Sequence, residues 1–317
     1  MRGILPIDKP KGITSHDAVA RVRRLSGQRR IGHAGTLDPL ATGVLILCLG
    51  DATRLVDRLM DGTKWYLARV AFGMATETDD AEGQIVGGSE PRFGEATLLG
   101  VLAGQVGDLA QVPPQFAAIK QAGVAAYQEA RAGRRVELAA RPISIHALTL
   151  LSLAPLTLPT PGQVDAGSHE LLCADLLICC GKGTYVRSLA RDLGEALGCG
   201  AYLAGLRRLA SGGITSAACV TMADLEAAVL SDGQAAVESR LLPPDAALED
   251  VAAAILSPLA AAAVGHGMPV SLPVRGVESL RLYDEAGALL GLAAPANAAD
   301  PKAGRWQPRL VFAPGGR

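Results

Sequence analysis

The residues best placed to do chemistry lie between Arg30 and Leu45, where the chain reads Arg-Ile-Gly-His-Ala-Gly-Thr-Leu-Asp-Pro-Leu-Ala-Thr-Gly-Val-Leu. One acid, Asp38, sits in a loop between two glycines and just ahead of an apolar run, Val44 to Leu49. Leu37 and Leu40 flank it, which predicts a carboxylate at the mouth of an apolar cavity, partly desolvated and directed at whatever enters. Read alone, Asp-Pro initiates a turn, and the glycines supply permissive backbone angles. The case for chemistry depends on what else reaches this loop. Three later segments carry candidates: Lys64-Trp65-Tyr66, the run Gly183-Thr184-Tyr185-Val186-Arg187-Ser188-Leu189, and Leu206-Arg207-Arg208. Each is ordinary by itself, as a strand aromatic, a helix cation and a core leucine.

The elements that must position these residues can be read from periodicity and caps. Gly3 to Ile7 predicts a short strand, followed by a turn through Asp8-Lys9-Pro10-Lys11-Gly12. Thr14-Ser15-His16-Asp17 fits a capping box and predicts a helix with Ala18, Val19, Val22 and Leu25 as its apolar stripe. Asp51 to Met60 predicts another short helix. From Lys64 to Phe72 the pattern alternates, with Tyr66, Ala68, Val70 and Phe72 on one face of a strand. Thr76 to Gly83 is a polar loop, and Gln84 to Val86 a short strand. Gln111 to Pro142 contains the basic run Arg131, Arg134 and Arg135 and reads as an insertion standing off the core. A strand at Ile143 to Leu150 follows, then a Pro-rich, weakly structured link from Pro155 to Gly167. Leu171 to Cys180 is a buried strand, Thr184 caps a helix from Tyr185 to Leu197, and Leu206 to Ile214 is a return strand. Past about residue 240, short segments at Val270 to Leu272, Ser279 to Tyr283, Leu289 to Ala293 and Arg309 to Phe312 predict a small all-β unit.

Composition narrows the function classes. The 317 residues are 49% hydrophobic and 19% charged, enough for a sizeable core and two domains. No early apolar run has a basic leader and cleavage site, and no uncharged stretch is long enough to span a bilayer, so a cytoplasmic protein without membrane attachment is expected. The six cysteines form no Cys-x-x-Cys pair, which argues against a zinc site or a disulfide framework. Net charge is −1, but it is unevenly spread. Residues 1–60 carry ten Lys/Arg against five acids, and residues 61–110 carry three against eight. One positive and one negative face fit a polyanion partner better than the total does. No P-loop or dinucleotide fingerprint appears, which disfavours a small-molecule metabolic enzyme.

Taken together and in this order, the segments resemble the TruB family of tRNA pseudouridine synthases. The family's pattern Gly-His-x-Gly-(Thr/Ala)-Leu-Asp-Pro-x-Ala-x-Gly is matched at every position from Gly32 to Gly43. Its Lys-x-Tyr strand, Gly-Thr-Tyr-(Ile/Val)-Arg segment and Leu-Arg-Arg element match the three later segments. The resemblance implies a mixed α/β (α+β) fold: a pseudouridine synthase core with an antiparallel-rich sheet and a thumb insertion, plus a small C-terminal PUA-like β-barrel. Residues 1–240 would be the catalytic domain, with the thumb at about 111–142, and 248–317 the RNA-binding domain. The implied reaction converts uridine to pseudouridine at position 55 in the T-loop of tRNA, after the base is flipped out of its stack. Asp38 would be the catalytic carboxylate, attacking either the base or the sugar, or deprotonating the sugar. Arg187 would be its ion-pair partner, and Tyr66 would stack on the base and help move a proton. His33 would support the rearranged RNA, while Tyr185 and Leu206 would line the pocket. No cofactor and no metal are implied. The partner is the tRNA T-arm, met by a monomer with no obligatory protein partner. One departure stands out: Gly123-Val-Ala-Ala-Tyr127 lacks the basic residues common at this point in the family, a loss that Arg131, Arg134 and Arg135 can offset as RNA-backbone contacts. Two alternatives have the same sequence support in part, an RNA-binding or tRNA-remodelling protein without catalysis and a guide-RNA-dependent relative.

Overall fold

The computed structural model describes residues 1–116, 136–163, 167–297 and 304–312, and the backbone of 120–121 and 124–125. Its centre is a ten-stranded mixed sheet among those residues. The main path runs Val220–Thr221, Gly3–Lys9, Thr42–Leu49, Ala201–Ser211, Lys64–Phe72, Ser168–Cys180, Arg141–Pro159 and Gly107–Gln111. Two neighbouring pairs on this path are parallel: Gly3–Lys9 with Val220–Thr221, and Thr42–Leu49 with Ala201–Ser211. The other pairs are antiparallel, as the resemblance implies.

The strand after the Asp38 loop is apolar on both faces because both are covered. Leu45, Leu47 and Leu49 enter one core cluster, and Val44, Ile46 and Cys48 enter another on the opposite side. The alternation at Lys64–Phe72 also holds, with Tyr66, Ala68, Val70 and Phe72 all buried. Its register sets Tyr66 beside Ile178 on one flank and Arg208 on the other. The capping box at Thr14 is complete. Its side chain accepts from the Asp17 N–H, Asp17 accepts from the Thr14 N–H, and the helix Ser15–Ser26 ends at Gly27 in the left-handed region.

Several local expectations need correction. The return strand is Ala201–Ser211, beginning at Ala201 rather than Leu206, and Ile214 lies on a separate short strand that folds back on it. The last C-terminal strand begins at Arg305, not Arg309. Gly3–Lys9 runs two residues longer than predicted, so Asp8 and Lys9 belong to the strand. The predicted helix at Asp51 to Met60 is a 3-10 turn, Gly50–Leu55, followed by a short α-helix, Val56–Asp61. Thr184 does not cap the next helix. Tyr185 occupies the N-cap with extended backbone and no side-chain cap, and the helix is Val186–Ala196. The first part of the Pro-rich link, Pro155 to Pro159, is strand. Arg141–Pro159 is one 19-residue strand paired with Ser168–Cys180 through to Pro159 opposite Ser168. The prolines mislead because they imply a break, yet past Ile145 this strand pairs on one side only among the described residues. An edge needs no N–H on its open side, so Pro155 and Pro159 fit.

The C-terminal unit is a five-stranded sheet ordered Ala252–Ile255, Leu280–Tyr283, Leu289–Pro295, Arg305–Val311 and Val270–Ser271, curled as in a PUA-like half-barrel. The sequence reading missed its first strand and the helix Pro258–Gly265, both hidden in an Ala-rich run, although Ser257 and Pro258 make an ordinary cap and first turn. This unit shares a core with the large sheet: Leu248, Val251, Leu289 and Phe312 cluster with Ile4, Val44, Ile46 and Leu55. The Arg2 guanidinium lies 5.3 Å from the Phe312 ring centroid, and Arg54 donates to the Val311 carbonyl.

Candidate active site

The Asp38 loop is clamped from two directions before any acid chemistry is considered. Ser15, the first residue of its helix and nearly fully buried, donates from Oγ to the Leu37 carbonyl at 3.0 Å. The same hydroxyl accepts from the Leu37 N–H at 2.8 Å. From the other side, the buried Arg208 guanidinium donates to the carbonyls of Val44 at 2.6 Å, Gly35 at 3.0 Å and Thr36 at 3.5 Å, spanning the loop's two stems. Gly43, at φ +98°, lies so close to Arg208 that a Cβ there would fall 2.1 Å from its carbonyl oxygen, so only glycine fits. Leu37 and Leu40 sink into the core and leave Asp38 facing a cavity, as the flanking leucines predict.

That cavity, of about 250 Å³, is lined by Leu37, Asp38, Tyr66, Phe116, Tyr185, Arg187 and Leu206, among others. Five of the six residues singled out in the four matched segments therefore meet in one place. His33 does not line it. It ends the short strand Ile31–His33 beside the loop, half-buried, with Nδ1 enclosed and unpartnered among the described residues. Arg131, Arg134 and Arg135 lie outside the described residues.

Arg187 makes the ion pair with Asp38. Its side chain is only 7% exposed, against 35% for Asp38. Nη2 donates to Asp38 Oδ1 at 3.2 Å, and Nε lies 3.0 Å from Oδ2 without hydrogen-bond alignment. The same guanidinium reaches Asp80 Oδ2 at 3.5 Å and the carbonyls of Thr78 and Phe116 at 3.3 Å each. Asp80 went unrecognised in the sequence. It is buried and accepts from Thr78 Oγ1 at 2.6 Å and from the Glu82 N–H at 3.0 Å. Burial pushes its carboxyl upward; the Thr78 hydroxyl and Arg187 oppose that, and the Asp38 charge adds to it. Nothing in Glu77, Asp79, Asp80 and Glu82 as a run marks which acid turns inward. Only the helix Val186–Ala196, which brings Arg187, and the strand Ala201–Ser211, whose Leu203 N–H donates to the Asp79 carbonyl, supply that information.

Two further groups shape the field. Lys9 is fully buried and donates from Nζ to the carbonyls of Pro10 at 2.9 Å and Ile13 at 2.7 Å. Burial lowers it to about 8, with the Asp38 charge pulling it back up. Burial also raises the Tyr66 phenol, so it stays neutral and can pass a proton on rather than stand as a phenolate. His33 is lowered by burial, then by Arg208 and His16. The folded chain thus refuses a proton that the unfolded chain accepts from about pH 6.5 downward, and His33 withdraws stability as pH falls through that window. His33→Gln should lose less stability than the parent between pH 7.5 and 5.5, as read from urea midpoints. An unchanged difference would mean His33 is not held neutral.

Among the described residues, no helix is long and apolar enough to cross a membrane, and no cluster of three or more His, Cys, Asp or Glu converges as a metal site. All six cysteines are free thiols.

Comparison with known proteins identifies the family and the fold. Residues 23–186 match the family model described as TruB family pseudouridylate synthase (N terminal domain), and residues 187–249 that of the tRNA pseudouridylate synthase B C-terminal domain. A protein of Ralstonia nicotianae named tRNA pseudouridine synthase B is 41% identical over 300 residues, covering 93% of this chain and 90% of its own. One of the same name from an Arthrobacter species is 40% identical over 319 residues, covering 99% and 97%. A solved structure of an H/ACA RNP bound to a substrate RNA containing 2′-deoxyuridine has the same fold, with TM-score 0.71 at 23% identity, covering 98% of this chain and 85% of that one. The chain belongs to the TruB family of pseudouridylate synthases.

Proposed function

We propose that this chain isomerises uridine to pseudouridine at position 55 in the T-loop of tRNA. The observation that carries the reading is the carboxylate of Asp38, exposed to a base-sized apolar cavity and held by a buried arginine. The reaction breaks the bond from ribose C1′ to N1 and forms one from C1′ to C5. The C5 proton leaves and N1 gains one, so no electrons are transferred. The base must first be turned out of its stack, and an apolar pocket with an aromatic wall receives a flipped pyrimidine well. In this reading Asp38 is the catalytic carboxylate and Arg187 fixes its orientation through a planar fork. Tyr66 stacks on the base and relays a proton, Tyr185 and Leu206 line the pocket, and His33, beside it, supports the RNA where the base has left. Residues 1–240 form the catalytic domain and 248–317 a PUA-like RNA-binding domain. In this reading the protein acts as a cytoplasmic monomer without an obligatory protein partner; the tRNA substrate is supported by relatives about 40% identical that are named tRNA pseudouridine synthase B. Incubation with an unmodified tRNA transcript and mapping of pseudouridine tests the reading. Modification elsewhere, or none, would overturn it.

The insertion carries a separate expectation. Arg131, Arg134 and Arg135 match no catalytic motif, and three clustered cations suit phosphate contact, which carries affinity and salt dependence but no base identity. Replacing all three with alanine should raise the apparent Kd for tRNA and flatten its salt dependence by up to about three units of log–log slope. The single-turnover rate at saturating RNA should hold. An unchanged slope would mean that these arginines are simply solvated.

A further inference from the structure

The helix Val186–Ala196 carries a second arginine, Arg191, one turn after Arg187 and on the same face. Each takes one of two consecutive acids. Arg187 reaches Asp80, and Arg191 Nη1 donates to Asp79 Oδ2 at 3.0 Å. Adjacent residues of an extended chain point to opposite sides. Here Asp79, at φ +61°, is the one non-glycine residue in the left-handed region among those described, and the turn it makes brings both carboxylates to one helix. A left-handed aspartate costs on the order of 1 kcal/mol, so the surrounding contacts must hold it there. Asp79 does so from both ends: its N–H donates to the Thr76 carbonyl at 3.2 Å, and its carbonyl accepts from Leu203 N–H at 3.0 Å.

Arg191 also faces the other way. Its Nη2 donates to the Val112 carbonyl at 2.9 Å, and the Ser188 hydroxyl donates to the same oxygen at 2.9 Å. Gln111 clamps the Tyr185 main chain, accepting from its N–H at 2.9 Å and donating to its carbonyl at 3.2 Å. Gln115 closes the neck of the insertion, donating to the Val136 carbonyl at 2.9 Å and accepting from its N–H at 3.0 Å. Between these ties stands the stretch that delivers Phe116 to the cavity wall. Arg187 touches both the turn and the insertion, through Asp80 and the Phe116 carbonyl, and Arg191 grips the same two segments one helical turn further on, through Asp79 and the Val112 carbonyl.

We propose that Asp79 and Arg191 form a positioning pair: Asp79 holds the turn that presents Asp80 to Arg187, and Arg191 couples that turn to the insertion, so the base of the thumb and the Asp38–Arg187 contact are set together. The inference rests on the isomerase reading. It assigns this pair no contact with the reacting atoms. Its signature is an asymmetry. Asp79→Asn keeps the shape and the tolerance for a left-handed backbone but removes the charge, so it loosens only the turn. It should lower the single-turnover rate at saturating tRNA about tenfold, equivalent to ~1.4 kcal/mol, with the Kd for tRNA within about twofold. Arg191→Gln releases both the turn and the insertion, so it should lower the rate by a similar factor and also raise Kd about tenfold. The double variant should be no slower than Arg191→Gln alone, since the two residues act through one contact.

Rates and Kd are measured on the full-length chain with unmodified tRNA transcript, and the folded fraction is fixed by thermal melts and active-site titration. Rates and affinities within twofold of the parent in both variants would overturn the proposal. So would losses that vanish once corrected for folded protein, or additive losses in the double variant. A parent chain that leaves the transcript unmodified while binding it would instead count against the isomerase reading itself.

Discussion

Asp38→Asn should leave no measurable multiple turnover while the variant still binds tRNA within about tenfold of the parent, or ~1.4 kcal/mol. The rate loss should be at least about 10⁴-fold, the upper range for a group that moves a proton or attacks directly. The structure gives two reasons to expect that separation of binding from catalysis. The loop is clamped by Ser15 and Arg208 through main-chain atoms of Leu37, Val44, Gly35 and Thr36, so its shape does not depend on the Asp38 side chain. Asparagine keeps one oxygen for Arg187 Nη2, and Leu37 and Leu40 remain anchored. The substitution therefore removes charge and nucleophilicity from an otherwise standing pocket. Single-turnover assay and filter binding on the same preparation decide the matter. A verified Asn variant that turns over, or one whose loss is wholly a loss of binding, would remove Asp38 from the catalytic role.

The order of motifs makes Asp38, Tyr66, Tyr185, Arg187 and Leu206 legible in the sequence, and the two simple periodicities place the Tyr66 strand and the Arg187 helix, but not the strand of Leu206, which begins at Ala201. The alternation from Tyr66 to Phe72 is a local property, as is the capping box at Thr14, so both can be read from neighbouring residues. What could not be read depends on partners distant in the chain. Asp80 acquires its meaning from Arg187, which follows it by more than a hundred residues, and it looks like any acid in a polar loop until strand and helix meet. Arg208 is another case. The Leu-Arg-Arg element was visible, but its second arginine works by donating to carbonyls of the Asp38 loop, and carbonyls leave no trace in side-chain sequence. Lys9 reads as part of a turn because Pro10 follows it, yet it closes a strand and is fully buried. The prolines near 155–159 misled for the same reason, since whether a proline breaks a strand depends on whether that strand has a second neighbour.

Arg187→Lys should cost far more than its charge conservation suggests. The guanidinium meets Asp38 with two nitrogens, extends a third contact to Asp80 and reaches the Thr78 and Phe116 carbonyls. An ammonium is a point charge on a flexible stem and cannot span these groups at once. If it stays with Asp80, Asp38 loses its aim. If it follows Asp38, a buried carboxylate already pushed upward by its surroundings is left without its cation. The folded protein must then accept a proton on Asp80 or a buried charge, and breaking such a pair typically costs about 3–5 kcal/mol when a partner is removed outright. Lysine should fall short of that limit, so the chain should fold while its single-turnover rate drops about 10²–10³-fold, an activation cost of ~3–4 kcal/mol. Arg24→Lys is the control, because Arg24 is exposed on the helix Ser15–Ser26 and its replacement keeps the charge. It should change the rate less than twofold, as surface substitutions away from buried networks usually do. Both variants are compared at saturating tRNA after correction for folded fraction. Equal effects at the two positions would mean that the network around Arg187 has no special claim on the chemistry. A loss at Arg187 that disappears on that correction would mean that it holds only the fold.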